Sequence, residues 1–248
     1  MKLFAEMNRE QLKAEAPAAL AILPIGATEQ HGPHLPTGTD LFTVENVARA
    51  AAEQASADVP IIVAPALPFG SSHHHFVFGA TLSLSTDTYY RVLCDLLESL
   101  VTDGFTRIFL VNGHGGNHEL AELAARDMAL RHPVKIAAGS YWKIAWPELI
   151  ESGAHQGRKM PGHAGDFETS LMLSLRPDLV PAARPHRDGE FETDPAGLQT
   201  YRSETHGWWS EINGFTDSPD RATPEKGARF RDAVVKGLAK AFIEFYRS

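Results

Sequence analysis

Thr106-Arg107-Ile108-Phe109-Leu110-Val111-Asn112-Gly113-His114-Gly115-Gly116-Asn117 is the stretch that decides the fold. A short apolar run passes straight into a glycine loop. Behind the loop comes Glu119-Leu120-Ala121-Glu122-Leu123-Ala124-Ala125, a helix-forming segment. The order reads as a buried strand, a tight loop and a helix capped at Asn117 and running through Leu130. Towards the N-terminus, Thr86 to Val101 sets Tyr89, Val92, Leu93, Leu96, Leu97 and Leu100 on one helical stripe. Ser85 or Thr86 is placed to start that helix and Gly104 to end it. Pro60 to Pro65 and Ala18 to Ile25 are two more buried-strand runs, with an alanine-rich helix, Phe42 to Gln54, between them. Towards the C-terminus, Pro133 to Ala138 is a fourth apolar run, and Asp166 to Leu175 a helix stopped by Pro177. A last helix opens at Thr223-Pro224 and carries Phe230, Val234, Leu238, Phe242 and Phe245 on one face. Strands alternating with helices predict an α/β fold: a mainly parallel sheet covered on both faces, in a single domain over residues 1–248. Residues 176–222, rich in Pro, Gly, Asp and Arg, read as irregular and are expected at the rim of a site or in subunit contacts.

The chain has 248 residues, 31 acidic against 23 basic, and a net charge of −8. That balance argues against nucleic acid or an anionic membrane surface as the main partner, since both select a basic face. No run reaches the roughly 18–20 apolar residues of a membrane span. The N-terminus places charges where a secretory signal carries its apolar region. Cys94 is the only cysteine, which excludes an internal disulfide framework and fits the cytoplasm. It lies on the apolar side of its helix and is expected in the core. Trp142, Trp146 and the pair Trp208-Trp209 suit either packing or a substrate pocket.

In a parallel α/β sheet, ligands bind beyond the carboxyl ends of the strands. Three segments qualify: those after Ile25, Leu67 and Val111. The first reads Gly26-Ala27-Thr28-Glu29-Gln30-His31-Gly32-Pro33-His34-Leu35-Pro36, with Asp40 at the start of the next helix. Glu29 and His31 are two apart, so an extended chain points them the same way. Two carboxylates and an imidazole are the donor set of zinc, manganese or iron(II), and an Asp can bridge two ions. The plainer reading is a polar loop with Asp40 as a helix cap. The loop at Gly113–Asn117 also suits a phosphate cradle, but it holds an imidazole in its middle and no Lys or Arg before Arg126, so His114 reads as a metal ligand. The third cluster is His163-Ala164-Gly165-Asp166-Phe167-Glu168, after Met160-Pro161. His163 and Glu168 can bind metal or move protons, and Glu168 precedes the apolar run Leu171-Met172-Leu173, so it needs a partner in a part-buried helix. Asp166 suits the helix N-terminus.

Taken together, Glu29-Gln30-His31-Gly32-Pro33-His34-Leu35-Pro36, Asp40, Asn112-Gly113-His114-Gly115-Gly116-Asn117 and His163-Ala164-Gly165-x-x-Glu168-Thr169-Ser170 resemble the creatininase family. The resemblance implies a three-layer α/β/α fold and a homo-oligomer, often a hexamer. It implies a hydrolase that cleaves a small amide or cyclic amide through a hydroxide shared by two divalent ions per subunit, zinc, manganese or iron. By the family pattern Glu29 and His114 hold one ion, His31 the other, and Asp40 bridges them. Glu168 matches a second carboxylate, either a ligand or the partner of His163, and His163 matches the proton-transfer histidine. Two departures bear on substrate. Creatinine-hydrolysing members carry a Tyr and a metal-binding Glu where this chain has Gly115 and Gly116, which leaves Glu168 or water to complete the second ion. The family segment Ser-x-Glu-His-x-x-Phe-Pro-Gly-Thr reads Ser72-His73-His74-His75-Phe76-Val77-Phe78-Gly79-Ala80-Thr81, with His74 in place of Glu. Formamide deformylation, precursor-peptide processing and cyclic-ketone hydrolysis on the same centre are the alternatives, and outside enzymes a metal-binding structural or sensor protein.

Overall fold

The computed structural model describes residues 1–154, 162–188 and 205–248. Among them, strands β1 (Lys2–Leu3), β2 (Leu20–Ile25), β3 (Ile61–Val63), β4 (Arg107–Asn112) and β5 (Lys135–Ser140) form one sheet in the order β1-β3-β2-β4-β5. Every pairing is parallel. The helices are α1 (Arg9–Glu15), α2 (Thr39–Ala55), α3 (Thr86–Thr102), α4 (His118–Arg131), α5 (Tyr141–Ile144), α6 (Trp146–Glu151), α7 (Asp166–Leu175), α8 (Trp208–Glu211) and α9 (Pro224–Arg247).

The strands are apolar throughout because both faces of the sheet are covered. Along β2 and β4, Leu20, Ile22, Phe109 and Val111 face a core built with α2, α5, α6, α7 and α9. The alternate residues Ala21, Leu23, Ile25, Ile108 and Leu110 face α3 and α4, with Leu12 of α1 at the edge of that core. This is the expected three-layer arrangement. Helix α9 buries Phe230, Val234, Leu238 and Phe242, while Phe245 is only half-buried. Each fully buried side chain of that size stabilises the fold by roughly 1.5–3 kcal/mol. Thr223 caps the helix by accepting from the Lys226 N–H at 3.2 Å.

Several details differ from the sequence reading. Helix α2 begins at Thr39, so Asp40 lies in its first turn, and Gly38, the capping residue, makes no side-chain bond. Asn117 stands at the N-cap of α4 as expected, but its side chain makes no capping bond there. Its amide spans the loops instead, donating to the Gly26 carbonyl at 3.0 Å and accepting from the Ser71 N–H at 3.0 Å. Cys94 is half-buried at the edge of its core rather than inside it. Trp142 is core and Trp146 packs against it, so both serve packing. Within 176–222 the described residues carry only short helical turns, Pro177–Leu179, Trp208–Glu211 and Pro219–Arg221, and residues 189–204 lie outside the described residues. No described helix is long and apolar enough to cross a membrane.

Candidate metal centre

Strands β2 and β4 are neighbours, with Ile25 opposite Asn112, so the loops that follow them leave the sheet side by side. That register brings the Glu29–His31 loop, the first turn of α2 and His114 to one place. Gly113 permits the close pass, since a Cβ there would come within 2.7 Å of Val44 on α2. Asn112 clamps the loop from below. Its side-chain carbonyl accepts from the His114 N–H at 3.0 Å, and its amide donates to the His114 carbonyl at 2.7 Å and to Ser140 Oγ at 3.0 Å. Helix α7 delivers Glu168 from the side, and the loop before it delivers His163.

Glu29, His31, Asp40, His114, His163 and Glu168 are all buried and all converge. Asp40 sits at the middle: Oδ1 is 3.2 Å from His31 Nε2, and Oδ2 is 3.1 Å from His114 Nδ1. Glu29 Oε1 lies 3.3 Å from His114 Nδ1 and 3.6 Å from His163 Nδ1. Glu168 Oε2 lies 3.8 Å from His31 Nε2 and is held by the Ala164 N–H at 2.6 Å. Outward bonds fix which ring nitrogen faces inward. His31 Nδ1 donates to the Glu29 carbonyl at 3.1 Å, which turns Nε2 to the carboxylates. His114 Nε2 donates to the Ser71 carbonyl at 3.2 Å, which turns Nδ1 to them. Such outward bonds are what orient metal-binding imidazoles.

The same geometry tests whether ions suit the site. Both oxygens of Glu29, Oδ2 of Asp40 and Nε2 of His75 are buried without a hydrogen-bond partner among the described residues. Buried polar atoms are seldom left so, because each costs about 1–3 kcal/mol. Two donors about 2.0–2.2 Å from one tetrahedral ion stand roughly 3.3–3.6 Å apart, and the separations here run from 3.1 to 3.8 Å. Three groups of donors, each mutually within 4.8 Å, can be drawn: His31 with Asp40 and Glu168, Glu29 with His31 and His163, and Glu29 with His74 and His114. The donors fit zinc, manganese or iron(II).

The charges agree. Burial alone would raise the Glu29 carboxyl, but the close imidazoles of His114 and then His75 hold it well below the usual carboxylate range. Burial alone would lower His31, yet Asp40, and after it Glu168 and Glu29, raise it to about 10. His114 is raised in the same way by Glu29 and Asp40 against its burial. Burial, eased by His31 and reinforced by Asp40, pushes Glu168 up to about 8. Without a cation, protons on the imidazoles neutralise the carboxylates. Metal must displace them, so affinity should rise with pH through neutrality and flatten only near pH 10, where His31 is bare. Calorimetry in buffers of different ionisation enthalpy is expected to show proton release on zinc uptake, and a heat independent of buffer would refute it.

Two residues here, Gln30 and His75, carried no expectation, and a third, Trp209, is open in the sequence between packing and a substrate pocket. Gln30 is a hub. Its side-chain carbonyl accepts from the Gly32 N–H at 2.9 Å, while its amide contacts His75 Nδ1 at 2.8 Å and donates to the Gly214 carbonyl at 3.2 Å. His75, one of three consecutive histidines, is buried beside Glu29, with Nε2 3.5 Å from Oε1. Trp209 covers the cluster, its ring 4.4 Å from that of His75 and 5.3 Å from that of His163. The segment that carries it is tied down by Thr216, whose hydroxyl accepts from the His163 N–H at 2.8 Å.

Comparison with known proteins agrees with this geometry. The creatininase (creatinine amidohydrolase) family profile matches residues 5–242. A mycofactocin precursor peptide peptidase of Mycolicibacterium smegmatis is 36% identical, over 89% of this chain and 83% of that protein. A creatinine amidohydrolase of Pseudomonas putida is 31% identical, over 96% of this chain and 95% of that one. Creatininase structures in a manganese form and a Zn–Zn form superpose with a TM-score of 0.76 at 28% identity, covering 99% of this chain and 98–99% of theirs. The match runs through every loop that supplies a donor, from the one after β2 to the first turns of α7, and the chain belongs to the creatininase family of hydrolases.

Proposed function

We propose that this chain hydrolyses the C–N bond of a small amide or cyclic amide at a pair of divalent ions, one held by Glu29 and His114, the other by His31 and Glu168, with Asp40 shared. The observation that carries the reading is the placement of Asp40, whose two oxygens each face a different inward-turned imidazole nitrogen, at 3.2 and 3.1 Å. Ions in such a site supply Lewis acidity, which makes water nucleophilic near neutral pH and polarises an amide carbonyl. The residues around them do the rest. His163 donates from Nε2 to the Gln30 carbonyl at 3.0 Å, so Nδ1 is the atom that handles the proton. Burial, then the charge of His31, hold its pKa well below the ordinary histidine value, which keeps Nδ1 free to take a proton from water and pass it to the leaving nitrogen. Gln30 donates to His75 Nδ1, which leaves the hydrogen of His75 on Nε2, facing the same space as a donor for the developing oxyanion. Trp209 walls the space against bulk water.

Metal analysis of the purified protein, with turnover measured on a panel of amides, formamides and lactams, tests the reading. Absence of bound metal together with no hydrolysis across the panel would overturn it. A peptide amide is the second reading, favoured by the peptidase relative, so a short peptide belongs in the panel. We further propose that the chain works as a homo-oligomer. Phe76, Val77 and Leu82, at 49%, 62% and 60% exposure, are large apolar groups on one short stretch that a subunit contact would cover. Light scattering at micromolar concentration should show a mass well above the 27.1 kDa monomer.

A further inference from the structure

Residues 214–217 return to the centre from late in the chain and bond to two of the segments that build it. The Gly214 carbonyl accepts from the Gln30 amide at 3.2 Å. Gly214 is left-handed, at φ +69°, and a Cβ there would stand 2.6 Å from Gln30 Oε1. Thr216 makes three bonds to a single residue. Its hydroxyl accepts from the His163 N–H at 2.8 Å and lies 3.3 Å from the His163 carbonyl, to which it donates. Its own N–H donates to the same carbonyl at 2.9 Å. Asp217 Oδ1 then accepts from the Asp166 N–H at 2.9 Å, in the first turn of α7, where the capping residue Gly165 has no side chain to offer. Thr216 and His163 are both buried, so their bonds are shielded from water.

His163 needs such a hold because its backbone sits between two unusual residues. Gly162 is at φ +68° and Ala164 at φ +51°, both in the left-handed region. Ala164 has a Cβ to crowd there, so its conformation persists only where the surroundings over-determine it. Its N–H is committed to Glu168 Oε2 at 2.6 Å. Gly162 is part of the fit, since a Cβ there would stand 2.6 Å from the Thr216 hydroxyl. The bond from Nε2 to the Gln30 carbonyl orients the His163 ring but leaves the main chain that carries it to be fixed from elsewhere. We propose that Thr216 is a positioning residue for the reaction. Its hydroxyl fixes the His163 main chain, and so the reach of Nδ1, while giving no donor to the ions. A displacement of about 1 Å near the chemistry can cost about a hundredfold in rate, so the clamp bears on turnover and not on metal uptake. This rests on the proton-transfer reading of His163 above and names what holds that histidine in place.

Thr216→Val keeps the shape of the side chain and leaves the His163 N–H without its acceptor, whereas Thr216→Ser keeps the hydroxyl. Both would be compared with wild type in metal content, in hydrogen exchange over residues 162–165, and in kinetics on an aliphatic amide and a para-nitroanilide. Thr216→Val should carry wild-type metal and exchange residues 162–165 about tenfold faster, as expected where a buried bond is lost. It should lose about tenfold to a hundredfold in kcat, with KM within about threefold of wild type. The loss should be larger on the aliphatic amide, whose leaving nitrogen needs a proton, than on the nitroanilide, whose leaving group departs more readily. Thr216→Ser should recover most of kcat. Wild-type exchange or wild-type kcat in Thr216→Val would overturn the inference and leave the hydrolase reading standing. Loss of metal, or equal losses on the two substrates, would overturn it as well, since either marks a general loosening of the centre. A wild type that binds metal but hydrolyses no amide or anilide would bring down the hydrolase reading and this inference with it.

Discussion

Replacing Asp40 by alanine is expected to cost the protein both ions, its turnover and part of its stability together. Among the described residues, Asp40 is the one carboxylate within 4 Å of inward-turned nitrogens of both His31 and His114. Its loss removes a donor from each position and leaves two cations with one shared anion fewer. An ion present at a hundredfold its Kd stabilises the fold by about 2.7 kcal/mol. In a chain of this size each 1 kcal/mol moves Tm by roughly 2–4 °C, so the loaded wild type should melt about 5–10 °C above the variant for each ion lost. Metal content, rate and a melting curve taken on one preparation check all three. An Asp40→Ala protein that keeps both ions would show that Asp40 is not the bridge.

The second large effect is expected at His163, with a different signature. His163→Ala should keep its metal and lose about 10²–10⁴ in turnover, the usual worth of a positioned acid or base. The neighbourhood makes this a real choice between roles, since His163 Nδ1 lies 3.6 Å from Glu29 Oε1 and belongs to one of the donor groups. Burial and the charge of His31 keep it neutral, which suits a proton carrier. A ligand would instead be fixed by its ion. Loss of metal in His163→Ala, or unchanged hydrolysis of an amide whose leaving nitrogen needs a proton, would assign it the other role.

Much of this was legible in the sequence for identifiable reasons. Strands buried on both faces write themselves as unbroken apolar runs, and the glycines and prolines after Ile25 and Val111 mark where each strand stops. Beyond those stops stood Glu29, His31, Asp40 and His114, the residue types that bind metal. The remaining features lack such a signature. Strand β1 is two residues long. Helix α1 buries none of its own residues, so no apolar stripe marks it, and only the Asn8–Gln11 capping box signals its start. The run His73-His74-His75 lies on a tight turn with no period to say which ring faces inward, and the structure separates them, one buried and two exposed. Gln30 has no charge to draw attention, and its partners His75, His163 and Gly214 lie 45, 133 and 184 residues away. Trp209 likewise acquires meaning only where the chain returns to the site.

The delivery of Glu168 by α7 has a consequence in time as well as in space. Nearby groups meet before distant ones, because closing a long loop costs more entropy than closing a short one. Glu29, His31 and Asp40 share one segment and meet early. His114 joins when β4 aligns with β2, and Glu168 only when α7 docks against α2 and α9. Ion capture would thus complete the centre last, and a cell short of metal would accumulate chains folded everywhere except around a cluster whose carboxylates are balanced only by protonated imidazoles. Those are the molecules its proteases would meet first, so the supply of metal would set how much of this protein persists.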